Sequence, residues 1–257
     1  LRIAKEVSRL LIDEFNPDAV PAVLGTKRER IVSRIIGVDD PYDEIKRKSN
    51  VVAKRIAMEL FRDVDMGDVS YENFRRIIII AAAANAMEWF IRGHEFSLDT
   101  FKYHLIDAEK KLAIDDTELL YKFVRKGGRI LYILDNSGEA VFDMYVVSYL
   151  RNFADDIIVA ARSKPVLNDV TVEEAIELGF EDHCTKVVPV GDFVGVMMEH
   201  ATREFLDAYR GSDMVIAKGM GAYETITEYK LEKPVFILLK AKCRTIARSL
   251  GVEQGSL

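Results

Sequence analysis

ILYILDNSGEAVFD, residues Ile130–Asp143, decides the reading of the fold. Ile130 to Leu134 is apolar without alternation and stops on Asp135. Asn136-Ser137-Gly138-Glu139 then turns into a segment with Phe142, Tyr145, Val146 and Tyr149 at helical spacing. A short unalternating apolar run suits a strand buried on both faces of a parallel sheet. Three more such runs follow: Ile157 to Ala161 stops on Arg162, Met214 to Ala217 on Lys218, and Val235 to Leu239 on Lys240. Lys186 to Val190 reads as a weaker strand among them. Ligands of an open α/β sheet bind outside the carboxyl ends of its strands. An acid, an arginine and two lysines gathered there would serve a metal and an anion.

Helices fill the intervals. Thr171 and Glu174 form a capping box and Gly179 supplies the stop. Ala201, Phe205, Ala208 and Tyr209 mark a further helix closed by Gly211. The strand–helix alternation begins at Lys126-Gly127-Gly128. Residues 1–126 read as almost purely helical. Val7, Leu10, Leu11 and Phe15 share one face, a long helix runs from about Tyr42 to Asp63, and a third covers Asn73 to Phe90. The middle of that third helix is apolar all round, which buries it among others. Leu105 to Phe123 holds one or two more. The expected organisation is a helical domain, 1–126, packed on an α/β domain, 127–257, that carries the site.

At 257 residues and 29.2 kDa with 49% apolar residues, one large or two small domains fit. A net charge of -6 and a pI near 5.4 argue against a general nucleic-acid binder. No run of about 18 apolar residues exists, so no membrane span is expected. Cys184 and Cys243 make no disulfide framework, which suits a reducing, cytoplasmic setting, and both are expected as small buried residues. The chain opens at Leu1 inside a helical pattern, so a motif missing near either end carries no weight. Oligomeric state is left open.

Asp135 and Asn136 offer hard oxygen ligands, Gly138 lets the backbone turn, and a helix start aims N–H groups at an anion. The plainer reading is a helix N-cap, for which both residues are ordinary. Beyond the second strand, RSKPVLNDVT (Arg162–Thr171) has Pro165 fixing a turn and Thr171 already capping. Asn168 and Asp169 are left without a local job. If the two strands are neighbours, Asp169 faces Asp135 and Asn136. Two carboxylates and an amide oxygen suit Mg²⁺ or Mn²⁺, and zinc less well, since no His or Cys accompanies them. Lys218-Gly219-Met220-Gly221 matches a dinucleotide fingerprint only weakly, because its third glycine would fall at Glu224. Its glycines read instead as room beside a phosphate, with Lys218 and Lys240 supplying positive charge. His94, His104, His183 and His200 do not pair at ligand spacing and read, like Trp89, as packing or surface residues.

Taken together, ILDNSGEAVFD (Ile133–Asp143), RSKPVLNDVT, AKGMGAYE (Ala217–Glu224) and LLKAKC (Leu238–Cys243) resemble the metal-dependent damage-control phosphatases, in their archaeal and prokaryotic branch. Asn85 within AAAANAMEW looks like that family's Gly-Asn segment, with Ala84 for the glycine and Glu88 for an aspartate. The resemblance spans about residues 80–250. It implies a helical part packed on a Rossmann-like, three-layer α/β domain. It implies Mn²⁺, Ni²⁺, Co²⁺ or Mg²⁺ held at Asp135, Asn136 and Asp169, with a phosphate-contacting Lys240 and with Lys218 and Glu139 nearby. The partner would be a small phosphorylated metabolite whose monoester is hydrolysed.

On this reading Asp135 and Asp169 hold the metal and one of them acts as base or nucleophile. Asn85, Glu139, Arg162, Lys218 and Lys240 meet the substrate. A haloacid-dehalogenase phosphatase would need an aspartate where Ser137 stands. A methyltransferase using S-adenosylmethionine would want more glycine after the first strand than Gly138. A non-enzymatic sugar-phosphate or nucleotide sensor would keep the lysines without a metal-ready Asp-Asn-Asp set.

Overall fold

Each apolar run becomes a strand in the computed structural model, which describes residues 1–17, 19–85 and 98–257. They are β1 (Arg129–Ile133), β2 (Asp156–Ala161), β3 (Lys186–Pro189), β4 (Met214–Lys218) and β5 (Val235–Leu238). All pair in parallel, in the order β3-β2-β1-β4-β5. The chain moves outward from β1 to β3, then crosses back to β4 on the other side of β1. A crevice opens at such a reversal, outside the carboxyl ends of the strands. The register aligns those ends, since Ile133 lies opposite Ala160 on one side and Ala217 on the other.

The central strands are sealed on both faces, as unalternating runs require. Successive side chains divide between two cores. Ile130, Tyr132, Val159 and Ile216 face a large core shared with the helices that precede the sheet. Leu131, Ile133, Ala160 and Val215 face a smaller one under α9 (Arg203–Gly211) and α10 (Gly219–Ile226).

The preceding helices are α1 (Arg2–Glu14), α2 (Pro21–Ile36), α3 (Asp43–Leu60), α4 (Tyr71–Asn85), α5 (Leu98–Lys110) and α6 (Thr117–Val124). α4 is buried from Ile77 to Asn85, which accounts for its lack of a polar face. It packs on α7 (Glu139–Leu150), as does α3. Residues 86–90 of the expected third helix, with Glu88 and Trp89, lie outside the described residues, as do His94 and the side chain of His104.

Hydrophobic periodicity does not single out α2. Its middle is Lys27-Arg28-Glu29-Arg30, and it buries Ala22, Thr26 and Glu29 rather than an apolar stripe. Pro21 at its start and Gly37 in the left-handed region at its end (φ 72°) are what mark it. Lys46 of α3 is fully buried and pairs with Asp40 at 2.7 Å and with Glu174 at 2.9 Å. Because Glu174 completes the capping box of α8 (Val172–Leu178), this ion pair fastens α3 to the loop that leaves β2. The cysteines are half-buried rather than buried. The Cys243 sulfur has a job, accepting from the Ile246 amide at 3.5 Å at the start of α11 (Arg244–Leu250). No described helix is long and apolar enough to cross a membrane.

Candidate active site

The segments leaving β1 and β2 are stitched together. Val170 N donates to the Asp135 carbonyl at 2.9 Å, and Ser137 N donates to the Asn168 carbonyl at 2.9 Å. Asn136 and Asp169 form an isolated antiparallel bridge between them. The segment is bent to reach this position: Leu167, at φ 51°, is the one non-glycine residue with positive φ among the described residues. Asp135 and Asn136 are not used as helix caps. Gly138 flanks α7 without a side-chain cap, and its amide donates to Asn50 Oδ1 of α3 at 2.6 Å.

Asn85, at the end of α4, ties the helical layer to the strand ends. Its Nδ2 faces Asp135 Oδ2 at 3.3 Å and the two Glu139 oxygens at 3.2 and 3.0 Å. Its Oδ1 accepts from the backbone amide of Lys240 at 2.9 Å. Asn136 Nδ2 donates to Asp135 Oδ2 at 2.7 Å. Asp135, Asn136, Asp169, Asn85, Glu139 and the Lys240 backbone are therefore joined across β1, β2, β5 and α4.

Two cations expected at the substrate are placed differently. Lys218 is fully buried, and its ammonium meets Glu139 Oε1 at 2.7 Å, Asp143 Oδ1 at 2.8 Å and the Ala81 carbonyl at 2.8 Å. An ammonium has three protons, and all three have acceptors here. Arg162 is also buried, giving its Nε to Asp169 Oδ2 at 2.7 Å and a further N–H to the Gly195 carbonyl. Both are counter-ions behind the carboxylates rather than open phosphate contacts. The glycines after Lys218 likewise make room for protein. A Cβ on Gly219 (φ 79°) would fall 1.9 Å from Asp135 Oδ2, and one on Gly221 would fall 3.1 Å from Val194.

The electrostatics of the cluster follow from burial. Burial, then the charges of Asp169 and Glu139, push the Asp135 carboxyl well above its usual range, against the pull of Lys242 and Arg162. Burial also raises Asp169, although Arg162 opposes it. Burial raises Asp143 to about 6, against Lys218. For Lys218, burial favours the neutral amine, but Asp143 and Glu139 outweigh it and the net shift is upward.

Asp135, Glu139, Asp143 and Asp169 are buried with Lys218 and Arg162. The four carboxylates outnumber Lys218 and Arg162, the cations paired with them, a setting that would suit a cation. Among the described residues no trio of His, Cys, Asp and Glu side chains gathers at metal-ligand spacing. The candidate set is two carboxylates and an amide, an oxygen set that suits hard or borderline divalent ions.

A pH dependence follows from Asp143. An acid held above its unfolded value destabilises the fold as it ionises. Its contribution therefore falls as pH rises from about 4, the ordinary carboxylate value, to about 6. The loss is on the order of 3 kcal/mol. Thermal denaturation in chelator from acid to neutral pH should show this decline, and Asp143→Asn should flatten it. Equal slopes in both proteins would contradict the assignment.

Sequence reasoning passed over Asn50 and Lys242. Asn50 carries no local signal, because it acts on Gly138 from another helix. Lys242 stands two residues after Lys240, inside a motif already singled out, and that adjacency was an available clue.

An open parallel sheet whose strand ends gather buried carboxylates, amides and lysines is the layout of an α/β enzyme acting on a small charged ligand. Comparison with known proteins supplies the family. The model of the damage-control phosphatase ARMT1-like domain matches residues 1–257, and the chain belongs to that family. It is similar to a damage-control phosphatase of Pyrococcus horikoshii, 32% identical over 97% of this chain and 84% of that protein. A damage-control phosphatase of Archaeoglobus fulgidus is 28% identical over 98% of this chain and 86% of that one. The crystal structure of a DUF89 family protein from P. horikoshii superimposes with a TM-score of 0.89 at 33% identity, covering 100% of this chain and 87% of that one. These relatives support a phosphatase role.

Proposed function

We propose that the chain is a metal-dependent hydrolase of phosphate monoesters, acting on small, damaged or unwanted phosphorylated metabolites. The observation that carries this reading is the convergence of Asp135, Asn136 and Asp169 in a buried cluster with more acids than paired cations. A divalent cation bound there supplies Lewis acidity toward the phosphoryl oxygens. Mn²⁺, Ni²⁺, Co²⁺ and Mg²⁺ all accept such donors.

The chain's own groups do the rest by positioning, which is most of what phosphoryl transfer asks of a protein. Asp135, Asp169 and the Asn136 side-chain oxygen would hold the ion. Arg162 and Lys218 fix the carboxylates in place. Lys240, just past the end of β5, would add positive charge for the transferring oxygens, while Asn85 and Glu139 orient the groups around Asp135. The loop carrying Asp169 also walls a cleft of 750 Å³, through Pro165, Val166 and Leu167, opposite Glu29 and Arg30 of α2. None of Asp135, Asn136, Asp169 and Lys240 lines that cleft, so it borders the loop rather than the cluster itself.

The test is phosphate release from p-nitrophenyl phosphate with Mn²⁺, with Mg²⁺ and with chelator. Release with metal and none with chelator is expected. Release unaffected by chelator would overturn the metal requirement, and phosphate binding without any release would favour a sensor.

A further inference from the structure

One buried group has no place in the proposed chemistry. Asp143 lies on α7, two turns beyond the Asp-Asn pair, and is fully buried. Its Oδ1 accepts from Tyr132 OH at 2.7 Å and from Lys218 Nζ at 2.8 Å, while its Oδ2 has no partner. A sealed carboxylate with one unsatisfied oxygen costs stability, so packing alone does not explain it. What it does is visible in the bonds that leave it. Lys218 passes from Asp143 to Glu139, Glu139 to Asn85, and Asn85 to Asp135. Asn85 also receives the Lys240 backbone amide. The chain of contacts starts on Tyr132 in the middle of β1 and ends at the carboxylate proposed to hold the metal.

We infer that Asp143, seated by Tyr132, is a positioning residue that sets the Asp135 carboxylate through Lys218, Glu139 and Asn85. The inference rests on the reading of Asp135 as a metal ligand. Lys218 is held between two acids. Taking away the Asp143 charge leaves Glu139 as its one charged partner, and the ammonium then moves toward Glu139. Glu139 and Asn85 follow, and Asp135 loses the orientation that Asn85 gives it. Contiguous hydrogen-bonded networks of this kind orient metal ligands they reach only through other side chains.

The experiment uses the full chain with Mn²⁺ as probe. Asp143→Asn should weaken Mn²⁺ binding in calorimetry about tenfold and lower kcat by a similar factor, the lower end for outer-shell partners. KM should change little. Lys218→Met should do at least as much, and the double variant should be no worse than Lys218→Met, because Asp143 acts through that lysine. Additive losses in the double variant would overturn the inference, as would wild-type Mn²⁺ affinity in Asp143→Asn. If Asp143→Asn does not fold, Tyr132→Phe decides: a weaker shift of the same sign supports the inference, and an unchanged affinity sinks it. An active Asp135→Ala would instead remove the metal-ligand reading. An inactive Asp135→Ala beside an unaffected Asp143→Asn would remove only the positioning role.

Discussion

Asp135→Asn is expected to abolish phosphate release and, in chelator, to raise the melting temperature. The two effects have one cause. Asp135 is 8% exposed and lies against Asp169 and Glu139, and burial and those charges resist its ionisation. The asparagine keeps an oxygen for the Asn85 and Asn136 amides, so the hydrogen bonds survive while the repulsion goes. Relief of about 1 kcal/mol corresponds to roughly 2–4 °C in a protein of this size. Activity should fall by more than about 100-fold, because loss of outer-shell partners alone can cost that much. Added Mn²⁺ should reverse the order of stability, raising the wild type and leaving the variant unmoved. A variant less stable than wild type in chelator would show that Asp135 holds the fold rather than burdening it.

Gly219→Ala is expected to cost both stability and turnover through one methyl group. Left-handed backbone costs a residue with a Cβ about 1–2 kcal/mol. Here the added carbon would also fall 1.9 Å from Asp135 Oδ2 and 2.4 Å from its Cγ, so the carboxylate must leave its place. Stability and turnover should both drop, turnover to the level of Asp135→Asn. Gly251→Ala is the control. Gly251 has φ 69° with nothing within 4 Å of the added atom, so it carries the backbone penalty alone. Near-normal turnover in Gly219→Ala would mean that the Asp135 position is not fixed by this contact.

The sheet could be read from the sequence because its strands are buried on both faces, so Ile130–Leu134 and Ile157–Ala161 are unbroken apolar runs, too short for a helix and each stopping on a charged residue. α8 was legible from local chemistry, a capping box and a left-handed glycine. α2 was not, because it is held by polar contacts: Thr26 Oγ accepts from Val194 N at 3.0 Å, and Arg30 pairs with Asp192 at 2.8 Å and lies over Phe193. Such a helix shows no apolar stripe.

The same distinction runs through the candidate site. Asn168 and Asp169 stood out because Thr171 already explained the helix start, leaving them unaccounted for. Position at a strand end was also readable for Arg162 and Lys218. The direction of their side chains was not, since the acids that capture them, Asp169 in one case and Glu139 with Asp143 in the other, are matched to them only by tertiary packing. Gly219 read as space for a ligand for a related reason: a glycine shows that something approaches closely, and the neighbour turned out to be Asp135.

The central claim is that Asp135, Asn136 and Asp169 together hold one divalent ion. Calorimetric titration of Mn²⁺ into the wild type and into Asp169→Asn, both first stripped with chelator, tests it most directly. One ion per chain in the wild type and no measurable binding in the variant is the expected result. Equal binding to both proteins would contradict it.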